Sequence, residues 1–186
     1  MSKLETNTID TISGTTNLTI GSTNSSTVTF ENGAPTGHMY PAFEAYLSAD
    51  QSLTSNTDTK VQFNTEVYDT DSDYDNSTNY RFTPTVAGKY YVYARIRGDS
   101  SGTNNVQRVI TYIYKNGSQV ISARDYTATG TPSNSMTPVA VGIIDMNGSS
   151  DYLEAYINVL ATSGTPSAVG GSTLRYSNFG AYRIGA

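Results

Sequence analysis

Cysteine and tryptophan are absent from this 186-residue chain, histidine occurs once, and 11 basic side chains face 16 acidic ones. Without cysteine there is no disulfide framework, no thiol nucleophile and no cysteine-based zinc site. The single histidine, His38, sits in the linker Gly37-His-Met-Tyr40 between Pro35 and Pro41. No Gly-x-Ser-x-Gly motif, phosphate-cradling glycine loop or second histidine accompanies it, so it reads as a hinge residue rather than a general base. No apolar run approaches the ~18 residues of a membrane-spanning helix. Met1 is not followed by a basic n-region and an apolar h-region, so the expected protein is soluble, either cytosolic or exported by another route. The net charge is −5 with the basic residues scattered, which argues against nucleic acid or an anionic membrane as partner.

The first thirty-three residues are poor in core-forming side chains. Leu4, Ile9, Ile12, Leu18, Ile20, Val28 and Phe30 are separated by Thr, Ser, Asn and Gly. Leu18 with Ile20, and Val28 with Phe30, alternate with Thr at period two, the pattern of short strands carrying one thin apolar stripe. A lone hairpin of that kind is marginal in water, whereas copies wound together bury the stripe and satisfy the strand edges. Residues 1–36 therefore read as a β-rich trimeric stalk, with a low-complexity tail as the alternative. β-branched Thr and Ile, and the absence of Pro before Pro35, favour the stalk.

Residues 37–186 read as an all-β domain. Expected strands are 42–48, 59–64, 81–84, 89–97, 107–115, 119–126, 136–146, 152–160 and 173–184, with no stretch of helical period. Asn116-Gly117 and Asn147-Gly148 each fall between two such runs and predict two-residue hairpins. Short strands separated by polar loops point to a two-sheet antiparallel sandwich or jelly roll. In the strand 89–97 one face carries Tyr90, Val92, Ala94 and Ile96, while the other carries Tyr91 and Tyr93. A strand with one solvated face alternates apolar with polar. Aromatics on both faces predict that one packs the core and the other meets a partner chain.

The residues Phe63, Asp69, Tyr74, Phe82, Gly88 and Tyr90 follow the spacing of the C1q-like domain signature, and Tyr80-Arg-Phe-Thr-Pro-Thr-Val-Ala-Gly-Lys-Tyr-Tyr91 resembles its most recognisable stretch. Ala42–Ser48, Tyr112–Gly117 and Ser177–Tyr182 resemble its first strand, middle hairpin and closing strand. The resemblance implies a ten-strand jelly roll of the C1q and tumour necrosis factor type, non-enzymatic and assembled as a homotrimer. Carried over by position, it makes Tyr46, Tyr91, Tyr93 and Tyr182 the expected trimer contacts, and Phe63, Phe82, Gly88 and Tyr90 the core signature. The opening segment is similar in composition to the starts of bacteriophage fibre and accessory virion proteins.

The acidic run Asp69-Thr-Asp-Ser-Asp-Tyr-Asp75 places Asp69, Asp71, Asp73 and Asp75 at alternate positions, which on a strand spaces them about 7 Å apart on one face. It fails the calcium-loop template, with Tyr74 where glycine is required and Tyr80 where a bidentate Glu is required. A solvated acidic loop is therefore preferred over a Ca²⁺ site, and no other cofactor is expected. Glu66 with Asp69 could cleave glycans only if a cleft held the two carboxylates at the separation that chemistry needs. Five Asn-x-Ser/Thr triplets, at Asn17, Asn24, Asn76, Asn116 and Asn147, reflect turn-rich composition rather than glycosylation. The combined expectation is a homotrimeric virion protein, a short fibre or surface decoration, made in the bacterial host cytoplasm. Leu4, Ile9, Ile12, Leu18 and Ile20 would dock it on other virion proteins. Its head would bind a host surface protein or glycan through the long polar loops 70–78, 99–105 and 127–135. A purely structural decoration and a free lectin-like module are the alternatives.

Overall fold

The computed structural model describes residues 41–128 and 130–185. The expected stalk, its docking residues Leu4, Ile9, Ile12, Leu18 and Ile20, and the hinge His38 lie outside the described residues. The described residues form fifteen strand segments: β1 Ala42–Tyr46, β2 Gln51–Ser52, β3 Thr59–Lys60, β4 Thr65–Asp69, β5 Tyr74–Asp75, β6 Arg81–Phe82, β7 Gly88–Arg95, β8 Gly98–Ser100, β9 Val106–Lys115, β10 Ser118–Tyr126, β11 Ser135–Met136, β12 Val139–Met146, β13 Leu153–Ala161, β14 Pro166–Ala168 and β15 Asn178–Gly185. They form a front sheet in the order β12-β7-β15-β1-β4, and a back sheet in the order β10-β9-β13-β6-β5 with β3 also paired to β13. A small sheet, β11-β8-β14-β2, continues from the end where β7 leaves the front sheet. Every pairing of named strands is antiparallel.

The count exceeds ten because long strands break where the chain changes sheet. The expected strand 89–97 ends at Arg95 and restarts as β8 in the small sheet. The expected strand 173–184 begins only at Asn178, after a loop in which Arg175 takes a positive φ of 44°.

Alternation builds the core. Tyr90, Val92 and Ala94 on the inner side of β7, and Ile96 just past its end, are fully buried, opposed from the back sheet by Val109, Ile113, Ile157 and Val159. At the Ala42 end, Phe43 stacks on Tyr74 and Phe82 at centroid distances of 4.6 and 4.4 Å and meets Phe179 edge-on at 5.1 Å. Each such ring removed from water contributes about 1.5–3 kcal/mol, and edge-on or offset pairs add to that. The Tyr74 hydroxyl, otherwise stranded in this apolar cluster, donates to the Phe63 carbonyl at 3.0 Å.

Asn116-Gly117 is a two-residue hairpin, with Ser118 opposite Lys115 and φ values of 53° and 77° at the two turn residues. This is the double positive φ that the dipeptide tolerates. Asn147-Gly148 is not a hairpin, because β12 lies in the front sheet and β13 in the back sheet. The Asn147 side-chain oxygen instead accepts from the backbone N–H of Ser149, Ser150 and Asp151, each at 3.0 Å, and turns the chain between layers.

Candidate functional site

The outer side of the front sheet is the candidate site, and the ladder registers define it. Tyr91 lies between Ile143 on β12 and Tyr182 on β15, and Tyr93 lies between Val141 and Gly180. Arg95 lies between Val139 and Asn178. The rows continue onto β1 as Ala42, Glu44 and Tyr46, and onto β4 as Tyr68 opposite Glu44. Paired residues in a ladder share a face, so all four expected trimer-contact tyrosines stand together on one surface.

Tyr91 packs against Tyr182 at 5.2 Å and Tyr93 at 6.4 Å between ring centroids. Tyr46 stands at the far end of β1, with the Arg175 guanidinium 5.3 Å over its ring. The Tyr93 hydroxyl donates to Glu44 Oε2 at 2.5 Å. Burial, then the bond to Glu44 and its charge, raise the Tyr93 pKa far above the ordinary phenol value, so it remains a donor. Glycine at position 180 makes room for this ring, since a Cβ there would stand 2.5 Å from Tyr93 Cζ.

The sequence reading placed this edge strand, at 136–146, but missed its outward side as part of the surface. Val139, Val141 and Ile143 of β12 point outward and are 47%, 45% and 60% exposed. The signal was present, because Val139-Ala-Val-Gly-Ile-Ile144 is apolar on both faces, as 89–97 is. Tyr68 extends the exposed apolar surface on β4. Exposed apolar patches of this extent are the kind that association surfaces use.

The core-signature residues lie elsewhere, inside the sandwich. Phe63, Phe82 and Tyr90 are fully buried. Gly88 has φ 148°, and a Cβ there would sit 2.7 Å from Arg183 Nε, so both backbone and space require glycine. The Tyr90 hydroxyl donates to the Val86 carbonyl at 2.7 Å, and burial pushes its pKa up to about 12.

The acidic run holds its own backbone. Asp69 accepts from the N–H of Asp73 and Tyr74 at 3.2 and 2.8 Å, and Asp73 accepts from Thr85 N–H at 2.9 Å. Asp75 accepts from the N–H of Ser77, Thr78 and Asn79 at 2.9–3.0 Å. These bonds, led by that from Thr78, hold the Asp75 pKa well below the usual carboxylate range, while burial raises that of Asp73. The alternate spacing does not become one strand face, because residues 70–73 turn between β4 and β5. Among the described residues no group of three or more acidic or histidine side chains could hold a metal ion. Glu66 is exposed on β4 with its pKa raised by desolvation and by Asp69, whose two oxygens are occupied by backbone.

Of the three expected contact loops, two converge. Val106 bridges Ser133, and the Asn104 N–H donates to the Asn134 side chain at 2.8 Å, joining 99–105 to 127–135 beside the small sheet. The loop 70–78 lies at the opposite end, where the Thr70 N–H donates to the Ala42 carbonyl at 3.0 Å.

The family model for the C1q domain matches residues 42–152, which contain the buried signature and most of the tyrosine face. The chain belongs to the C1q domain family. Domains of this C1q and tumour necrosis factor superfamily are generally non-catalytic binding modules and typically form homotrimers. The fold is also similar to that of the Eiger TNF from S. frugiperda, with a TM-score of 0.54, 10% identity, and coverage of 76% of this chain and 90% of that one. Murine APRIL gives a TM-score of 0.51 at 11% identity, covering 76% of this C1q-domain chain and 98% of its own. No curated protein matches the sequence.

Proposed function

We propose that this C1q-domain chain is a non-enzymatic homotrimer, a virion protein of a bacteriophage whose head attaches the particle to a host surface or glycan. One observation carries the assembly: the outer side of the front sheet joins Tyr91, Tyr93 and Tyr182 to the exposed Val139, Val141 and Ile143 in one apolar surface. Three copies closing on a common axis would bury that surface, as the family's assembly habit implies. Residues 1–36 would dock on other virion proteins and place the head at the particle surface. The fibre-like composition of that segment supports this part. Many weak head contacts would act together through avidity.

Light scattering of the full chain tests the assembly. A particle of three 20.0-kDa chains is expected, and a 20.0-kDa particle would overturn the reading. Particles displaying the protein should lose adsorption to host cells when the head is altered. Adsorption that ignores the head would leave a purely structural decoration.

A further inference from the structure

Where β7 leaves the front sheet, Arg95 and Arg97 line an open pocket of about 280 Å³ together with Ser135, Thr137, Leu174 and Tyr176. Both guanidiniums are fixed by the chain. Arg95 Nη2 donates to the Arg175 carbonyl at 2.6 Å, and Arg97 lies over the Tyr176 ring at 5.0 Å with Nη2 3.4 Å from Asp99. The Nε of each is buried without a hydrogen-bond partner, as is Oδ1 of Asn178, directly across the ladder from Arg95. Arg175 is paired with Glu44 at 3.7 Å and Arg97 with Asp99, whereas Arg95 has no carboxylate within 4.0 Å among the described residues. A chain of net charge −5 thus keeps an excess positive charge in one corner, on guanidinium forks held by neighbouring groups. Such forks match a carboxylate geometrically, and their fixed position lowers the ordering cost of binding.

The rest of the lining narrows the ligand. Ser135 and Thr137 supply hydroxyls, Leu174 offers an apolar side chain that is 64% exposed, and the volume suits one sugar-sized group rather than a longer segment. We propose that this pocket binds the carboxylate of a hexuronic acid unit, the chemistry of an acidic surface polysaccharide. The biological meaning rests on the attachment reading above, with Arg95, the last residue of β7, at the rim of the face that the assembly would bury, while the binding itself requires only this pocket.

The test is titration of the full chain with glucuronate, glucose and inorganic sulfate, followed by calorimetry, with the mass of the same samples measured by light scattering. Glucuronate is expected to bind and glucose not to. Arg95→Gln and Arg97→Lys should each weaken glucuronate about tenfold or more, the latter because lysine keeps the charge but loses the fork. Thr137→Val keeps the side-chain shape and should weaken binding severalfold, which guards against an arginine variant that simply misfolds. Arg124→Gln, in the groove formed with Arg108 and Tyr126 on the back sheet, should leave binding unchanged. The proposal falls if glucose binds equally, if sulfate binds as tightly as glucuronate and shows only a general anion site, or if the Arg95 and Arg97 variants retain affinity. A trimer indifferent to glucuronate overturns the pocket alone, and a monomer that binds it overturns the assembly alone.

Discussion

Asp151 joins two Asn-Gly loops that look alike in sequence and fold differently. Its carboxylate accepts from the Asn116 side chain at 2.7 Å and the Asn147 N–H at 3.0 Å, and pairs with Lys115 at 2.8 Å. Those bonds, the one from Lys115 first, lower its pKa below the ordinary carboxylate value. A depressed folded pKa means stabilisation that is complete above the unfolded value of about 3.9 and is lost as the pH falls through the folded value. Asp151→Asn removes the charge and sets an amide against Asn116 and Lys115, which should cost about 1.5–3 kcal/mol at pH 7. The gap between variant and parent should close below about pH 4, as read by urea unfolding across pH. A gap independent of pH would mean that the charge is not what Asp151 contributes. This residue was not legible in advance, because its role depends on two loops 31 positions apart meeting in space, as Asn116 and Asn147 do here. Phe63, Phe82, Gly88 and Tyr90 were legible, because each answers to a local demand of volume or backbone that fixed spacing records.

At the scale of elements, period-two alternation placed the long strands and failed on the short ones. The strands β9, β12 and β13 fall within or close to their expected bounds because each presents a face to the same core, and β10 does so although only Ile121 and Ala123 pack against it. Segments such as β2, β8 and β14 are two or three residues long and carry no periodicity to read; pairing across the small sheet creates them. Turn chemistry was decisive only where both flanking strands share a sheet. The Asn116-Gly117 turn meets that condition, and it gives a clean backbone test. A Cβ at Gly117 would meet nothing closer than the Tyr152 hydroxyl at 3.6 Å, so there is space for a methyl group, and the cost of Gly117→Ala is the positive φ of 77° alone. That cost is about 1–2 kcal/mol. A drop in Tm of about 2–8 °C at fixed protein concentration is expected by scanning calorimetry, whereas an unchanged Tm would show that the turn relaxes into another type.

At the scale of the whole molecule, one sandwich presents two outer surfaces of unlike character. The back sheet covers itself with polar partners: Arg108 donates to Asn56 at 2.5 Å, Asn158 to Asp58 at 2.7 Å, and Lys60 pairs with Glu154 at 2.9 Å. The front sheet carries Val139, Val141 and Ile143 on its β12 edge with no such cover. If three chains close on the front sheet, Ile143→Glu must disrupt them. The substitution forfeits about 1.5–3 kcal/mol of apolar burial per chain and adds an unpaired carboxylate to each buried site. A trimer suffers this three times, so the assembly should dissociate to the 20.0-kDa chain at micromolar concentration while far-ultraviolet circular dichroism stays that of the parent. Val120→Glu is the matched control, because Val120 is 47% exposed on β10 of the back sheet, comparable to Val139 and Val141. It should keep the parent mass. If both variants stay trimeric, the assembly uses another surface; if the control dissociates while Ile143→Glu does not, the back sheet is the contact, and the tyrosines of the front sheet must owe their placement to a different partner.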